Sequence, residues 1–278
     1  MSFNPPLTIQ EVEAAFNGTF SKVTPIVGGT GGQGVVFRAE SQQQGGTLPK
    51  TVALKIYYPG SLVERTQREV QALAKLQCDY IVRIHSAGHI PLRAQPCMFV
   101  GTDFIEGEVL SAVVSRGRLN ANQAARVGHD IAIAISALWT ERLVHRDIKP
   151  HNIMLARNNR GVLIDLGVAR HLSLGALTTI GKTWGTDGYM SPEQANALRQ
   201  LSCKSDIFSL GIVLQELLLG AHPTGCNQLA LAGGGVKTAA LKFAPRAPFE
   251  ALLDTMLALS PHHRPNPVQV AETLNHHV

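Results

Sequence analysis

Two carboxylates, an amide and a lysine fall within a short reach of chain. The stretch His145-Arg146-Asp147-Ile148-Lys149-Pro150-His151-Asn152 is followed, thirteen residues after Asn152, by Asp165-Leu166-Gly167. Between them Ile153-Met154-Leu155 and Val162-Leu163-Ile164 read as two short strands joined by residues 156–161. A hairpin of that kind brings Asn152 and Asp165 to one end, an oxygen pair suited to a hard cation such as Mg2+. Asp147 then remains as a carboxylate near an incoming hydroxyl. A solvated loop acid is the plainer reading of any one of these aspartates taken singly. The whole constellation in this order is not explained that way.

Further upstream, Gly29-Thr30-Gly31-Gly32-Gln33-Gly34-Val35-Val36 fits the pattern G-x-G-x-x-G-x-V. Glycines let a backbone approach a triphosphate closely and aim N–H groups at its oxygens. A plain hairpin turn also explains a glycine cluster. The Rossmann reading needs a helix directly after the glycines, whereas Val35-Val36-Phe37 are strand formers. A Walker loop needs Gly-Lys-Ser/Thr, which is absent, so the segment reads as a strand–turn–strand flap. In Val52-Ala53-Leu54-Lys55, residues two apart share a face, so Ala53 and Lys55 point together while Leu54 points into the core. A lysine buried alone on such a strand costs several kcal/mol. Either Lys55 is an edge lysine in water, or it is paired and held toward phosphates. Glu69 is the expected partner, preferred over Glu64 by the steps of four to Leu73 and three to Leu76.

These groups need elements to hold them. Val35-Val36-Phe37, Val52 to Tyr58 and Met98-Phe99-Val100 are predicted strands, with residues 41–49 as a polar hairpin loop. A helix is predicted over about 61–77 on the recurrence of Val70, Leu73 and Leu76. Residues 101–107 read as a hinge. Beyond them helical spacing dominates: Ala124, Val127, Ile131, Ile135 and Leu138 predict an amphipathic helix of about twenty residues. Residues 207–219, apolar almost all round, predict a helix buried on every side, and residues 252–259 another, ended by Ser260-Pro261. The fold class is therefore α+β, a small β-rich lobe before a larger helical one. The expected limits are an extension over residues 1–20, one lobe over 21–105 and the second over 106–278, with ligands bound in a cleft between lobes.

Composition sets the outer limits. The 278 residues allow one large domain or two modest ones. Apolar residues are 45% and charged residues 16%, with mean hydropathy +0.06, which argues against a disordered tail or coiled coil. The net charge of +5 is small and scattered and gives no reason to expect nucleic acid. Cys78, Cys97, Cys203 and Cys226 are too widely spaced for a zinc knuckle or a disulfide framework. They read as thiols in a reducing, cytoplasmic setting. The start of the chain does not read as a signal peptide, and no apolar run reaches the ~20 residues that span a bilayer. His85, His89, His129, His171, His222, His276 and His277 show no metal-ligand spacing, and Trp139 and Trp184 read as packing residues.

Over roughly residues 20–275 the sequence resembles the eukaryotic-like (Hanks-type) Ser/Thr protein kinases, and two segments, Gly31-Gly32-Gln33-Gly34 and Met190-Ser191-Pro192-Glu193-Gln194, resemble the bacterial members. That resemblance implies a bilobal kinase fold, ATP and Mg2+ (or Mn2+), and protein substrates with Ser or Thr acceptors. It implies that Gly29, Gly31 and Gly34 cover the ATP phosphates, that Lys55 pairs with Glu69 and contacts the α/β-phosphates, and that Asn152 and Asp165 hold the cation. Asp147 would orient the substrate hydroxyl and accept its proton, and Lys149 would neutralise the transferring group. Thr102 falls at the gatekeeper position, the backbone of Asp103 and Ile105 at the hinge, Val36 and Ala53 above the adenine and Leu155 below it. Gly185 to Glu193 resembles the substrate-recognition loop, Glu193 pairing with Arg264 and Asp206 capping backbone N–H groups of the catalytic loop. Lys149 with Thr186 is the Ser/Thr pattern. Arg146, with Arg170, implies control by phosphorylation at Thr178, Thr179 or Thr183, with a transient homodimer for autophosphorylation.

The chain departs from the pattern at Leu166, where Phe is usual, at Gly28, where an aliphatic residue is usual, and in the short spacing of 14 between Lys55 and Glu69. A pseudokinase scaffold is the alternative within the fold, though Lys55, Asp147, Asn152 and Asp165 are all present. A small-molecule phosphotransferase would read H-G-D and lack the segment from Gly185 to Glu193.

Overall fold

The computed structural model describes residues 3–30, 34–42, 48–59, 70, 73–165, 170–171, 185–198, 201–241 and 248–278. The chain divides into two compact units, one formed by Met1–Leu76 with Val82–Ile105 and the other by Gln77–Ile81 with Glu106–Val278.

The first unit opens with α1 (Ile9–Ala15), whose capping box joins the Thr8 side chain to the Glu11 N–H and Glu11 back to the Thr8 backbone. Five strands follow: β1 (Phe20–Thr30), β2 (Gly34–Ser41), β3 (Thr51–Tyr57), β4 (Ile84–Leu92) and β5 (Gln95–Asp103). They form one antiparallel sheet in the order β1-β2-β3-β5-β4. The strands predicted at 35–37, 52–58 and 98–100 are there, within longer elements. The helix, β1 and β4 are additions, and Gly101 to Asp103 belong to β5 rather than to a hinge. Most of the predicted helix over 61–77 lies outside the described residues.

Register sorts this sheet into two faces. Val36 lies opposite Lys55, Lys55 opposite Val100, and Ala53 opposite both Arg38 and Thr102. Directly paired residues share a face, so Val36, Ala53, Lys55 and Thr102 stand together on one side. The other side carries Phe37, Leu54, Ile56 and Cys97, buried under Val12 and Phe16 with Phe20 and Val23. Phe16 stacks edge-on against Phe20 and Phe99 at centroid distances of 5.1 and 4.8 Å. Residues 12–23 thus supply much of the core on that side.

The second unit contains β6 (Gly107–Val109), α2 (Leu110–Ser115), α3 (Ala121–Thr140), β7 (Leu143–Val144), β8 (Ile153–Ala156), β9 (Gly161–Leu163), β10 (Arg170–His171), α4 (Pro192–Ala195), α5 (Cys203–Leu219), α6 (Glu250–Met256) and α7 (Pro267–Asn275). The amphipathic helix predicted from Ala124 to Leu138 is α3, closed at its start by the Asn120–Gln123 capping box and buried along the expected positions. The all-apolar helix is α5, which starts at Cys203 because the Ser202 side chain accepts the Lys204 N–H there. Each fully buried Leu or Ile on these two helices contributes about 1.5–3 kcal/mol. The helix predicted over 252–259 stops at Met256. Leu257 turns its carbonyl to the Gly235 N–H (2.9 Å) instead of continuing the helix.

Candidate active site

The stretch 145–152 connects β7 to β8, and its backbone is pinned from three sides. Asp206, fully buried in the first turn of α5, accepts the N–H groups of His145 and Arg146, each at 2.8 Å. The Gln194 amide donates to the Arg146 carbonyl at 2.6 Å. These bonds hold Arg146 at φ +70°, a left-handed conformation costing about 1–2 kcal/mol for a side-chain-bearing residue. His145 donates from Nε2 to the Asp165 carbonyl (2.5 Å) and accepts the Asp147 N–H at Nδ1 (3.2 Å). That pairing defines a neutral ring protonated on Nε2, tying the loop to the residue beyond β9. Burial pushes the Asp206 carboxyl up from its ordinary value, against the pull of the two backbone N–H groups it accepts.

Asp147 is held on both oxygens. Oδ1 accepts the Thr186 hydroxyl at 2.6 Å, and Oδ2 accepts the Asn152 amide at 2.9 Å and pairs with Lys149 Nζ at 2.8 Å. Lys149 Nζ also donates to the Thr186 hydroxyl. Three side chains predicted from sequence, Lys149, Asn152 and Thr186, therefore meet at the Asp147 carboxylate. The β8–β9 hairpin pairs Ile153 with Leu163 and continues with a bond from the Ile164 N–H to the Asn152 carbonyl, 2.9 Å. Asn152 and Asp165 thus flank the end of one ladder, as the hairpin reading required. The Asn152 amide nitrogen is committed to the Asp147 carbonyl (2.8 Å) and carboxylate, so its oxygen is turned away from Asp147. An amide oxygen beside a carboxylate is a donor set that fits a hard divalent cation.

Glu193, in α4, meets Arg264 in a two-pronged pair: Oε1 at 2.6 Å and Oε2 at 2.9 Å from the two terminal nitrogens. Arg264 is 2% exposed, with its remaining donors on the carbonyls of Lys204, Ala258 and Leu259 and its guanidinium over the Phe208 ring. Ser205 adds a hydroxyl bond to Glu193 at 2.7 Å. Burial alone would raise the Glu193 carboxyl, but the bonds and charge of Arg264, with Ser205, outweigh it and leave the group below its ordinary value.

In the first unit, Lys55 Nζ lies 4.9 Å from the Tyr57 ring centre, on the face shared with Val36, Ala53 and Thr102. Gly29 and Gly34 are the flap glycines among the described residues. A Cβ on Gly29 would meet the Val36 and Ile26 carbonyls at 2.8 and 2.9 Å, and one on Gly34 would collide with the Ile56 carbonyl. Asp103 bonds His85 through its carboxylate (2.5 Å) and the Arg83 carbonyl through its N–H (3.0 Å). Ile105 is the last residue of this unit, and Leu155, half-buried in β8, belongs to the second. Gly31, Glu69, Leu166, Thr178, Thr179, Thr183 and Trp184 lie outside the described residues, as does the side chain of Arg170.

Sequence reading missed Gln194 and Ser205. Each adjoins a recognised motif residue, Gln194 one position after Glu193 and Ser205 one before Asp206, and neither residue type signals its role.

A two-faced antiparallel sheet, a helical unit and a loop built around an H-R-D-x-x-x-x-N stretch define a protein kinase domain. Residues 24–278 match the family model described as protein kinase domain, and the chain belongs to that family. Similar curated proteins include the serine/threonine-protein kinase PknH of Mycobacterium bovis, 32% identical over 197 residues, 70% of this chain and 32% of that protein. PknD of Mycobacterium tuberculosis is 34% identical over 201 residues, 70% of this chain and 29% of that protein. PrkC of Bacillus subtilis, also named a serine/threonine-protein kinase, is 32% identical over 208 residues, 73% of this chain and 31% of that protein. The chain thus spans about a third of the length of these relatives.

Proposed function

We propose that this chain is an ATP-dependent protein serine/threonine kinase. The observation that carries the reading is the convergence of Lys149, Asn152 and Thr186 on the Asp147 carboxylate. Asp147, held on both oxygens, orients the acceptor hydroxyl and takes its proton. Lys149, 2.8 Å from Asp147, offsets charge on the group in transit. Its further bond to Thr186 ties the acceptor-binding segment to the catalytic loop, which supports a Ser/Thr rather than a Tyr acceptor. Asn152 and Asp165 would hold Mg2+, or Mn2+ in its place; such a cation neutralises phosphate charge when bound. On the first unit, Lys55 serves the α/β-phosphates, Gly29, Gly31 and Gly34 their oxygens, and Val36, Ala53, Thr102, Asp103 and Ile105 the adenine, with Leu155 as its floor. The shared sheet face of Val36, Ala53, Lys55 and Thr102 supports that set.

Control by autophosphorylation at Thr178, Thr179 or Thr183 follows from Arg146 and Arg170, with a second copy of the chain as transient partner. The proposed setting is the cytoplasm, on cysteine usage. Among the described residues no helix is long and apolar enough to cross a membrane.

The test is transfer of labelled phosphate from ATP to a generic acceptor such as myelin basic protein. Asp147→Ala should reduce transfer by about 10²- to 10⁴-fold. Mass spectrometry of the same reaction should find phosphate between residues 171 and 185. Equal labelling by wild type and variant would overturn the catalytic assignment, and a bare 171–185 segment the regulatory one.

A further inference from the structure

Thr186 reaches Asp147, and the residues just after it are held by a turn far along the chain. The Gly188 N–H donates to Gln228 Oε1 at 2.9 Å, and Gln228 Nε2 donates to the Met190 carbonyl at 2.8 Å. Because an N–H can only donate and a carbonyl only accept, these partners fix which way the amide faces. The Gly188 carbonyl accepts from His222 Nε2 at 3.0 Å. His222 Nδ1 in turn accepts the N–H groups of Thr224 (3.1 Å) and Cys226 (2.9 Å), which places the ring proton on Nε2. Three backbone groups in three residues are thereby taken up by two side chains, much as a neighbouring strand would take them.

The fit between the two segments is close. Gly188 sits at φ +88°, and a Cβ there would meet Cys226 Cα at 2.6 Å and His222 Nε2 at 3.0 Å. The Tyr189 ring packs edge-on against His222 at 4.9 Å and its hydroxyl bonds Glu216 at 2.6 Å, while the Tyr189 carbonyl takes the Ser209 hydroxyl at 2.7 Å. The side chains of 189 and 190 are buried, so the backbone of this segment is what the 222–228 turn sets in place.

We propose that His222 and Gln228 are positioning residues for the protein acceptor: they fix residues 188–190 relative to Asp147, and so set how well a peptide is held beside Asp147. The inference rests on the kinase reading and goes beyond it, since neither residue belongs to the set around Asp147. A segment released from this clamp still carries Thr186 but presents it over a wider range of positions, and misplacement of about 1 Å is enough to weaken a near-attack arrangement.

Two substitutions separate positioning from packing. Gln228→Ala removes both bonds and the side-chain bulk; Gln228→Met keeps the bulk and removes the bonds. Both should raise the KM for an acceptor peptide by about tenfold, the worth of roughly one net hydrogen bond, with the KM for ATP within twofold of wild type. In both, amide hydrogen exchange over residues 185–191 should quicken while α5 keeps its protection. A Met variant with wild-type peptide KM would overturn the proposal, assigning Gln228 to packing alone. A wild type that phosphorylates no peptide would instead overturn the kinase reading. The exchange measurement then stands apart: unchanged protection over 185–191 overturns the clamp, and lost protection upholds its hold on the segment.

Discussion

Arg264 has no water to turn to. Its guanidinium spends its donors on Glu193 and three carbonyls, so the pair acts as a buried junction between α4 and the turn before α7. Burying two charges is repaid only when such bonds are complete. Arg264→Leu leaves Glu193 without its countercharge and should cost about 3–5 kcal/mol. Adding Glu193→Gln should recover part of that loss, because the two changes remove one shared interaction. Denaturant midpoints of both single variants and the double test this; a double equal to the sum of the singles would show the two residues act independently. This pair was readable from S-P-E and H-R-P because the family pattern names both ends. Gln194 and Gln228 were not, because each acts on backbone groups 38–48 residues away, which no spacing of side-chain types encodes.

At the scale of elements, long periodic segments were readable and short ones were not. α3 repeats its apolar positions over five turns, enough for spacing to define it, whereas α1 has seven residues and fewer than two full turns. Its Thr8–Glu11 capping box was the one local sign available. β4 carries Gly88 and Pro91 and lies at the sheet edge, where broken alternation and a missing N–H are tolerated. Its partner β5 follows after the two-residue turn Arg93-Ala94, both at positive φ. Arg93 then reaches back to α1, bonding Glu11 at 2.7 and 3.0 Å and the carbonyls of Pro5 and Pro6. Phe16, 5% exposed among aromatic neighbours, should cost about 3–5 kcal/mol when cut to Ala. Hydrogen exchange should show β1 to β5 losing protection while α3 and α5 keep theirs, since each unit has its own core. Uniform loss across both units would contradict that division.

Across the molecule, ionisation changes act in opposite directions, and their signs predict the response to acid. Burial holds His151 and His222 below the ordinary 6.5. The unfolded chain therefore binds protons first as pH falls through 6.5, and their contribution is complete only above it. Glu193 lies below 4.5, and Glu11, bonded by Arg93 and the Thr8 N–H, lies at about 2. Their contribution is complete above 4.5 and is lost as pH drops through the folded values. Asp206 and Glu216 are raised by burial and oppose this, favouring the fold as acid is added. Stability should decline gently below pH 6.5 and more steeply below 4.5, as read from denaturation at a series of pH values. A maximum near pH 4 would show that the raised carboxyls dominate. The two-unit α+β organisation was visible in the change from β-branched runs to 3.6-residue periodicity near residue 107. Which side of the sheet residues 12–23 cover was not, because spacing reads most of that stretch as an extension.

That covering stretch bears on how the protein is to be handled. The family match begins at residue 24, after Val12, Phe16, Phe20 and Val23 have already been laid over the sheet. A truncation made at the match boundary would strip the lid from Phe37, Leu54, Ile56 and Cys97 and leave a bare, sticky surface. Such a fragment should come out of expression insoluble or self-associated, while one that starts ahead of Pro5 should stay dispersed.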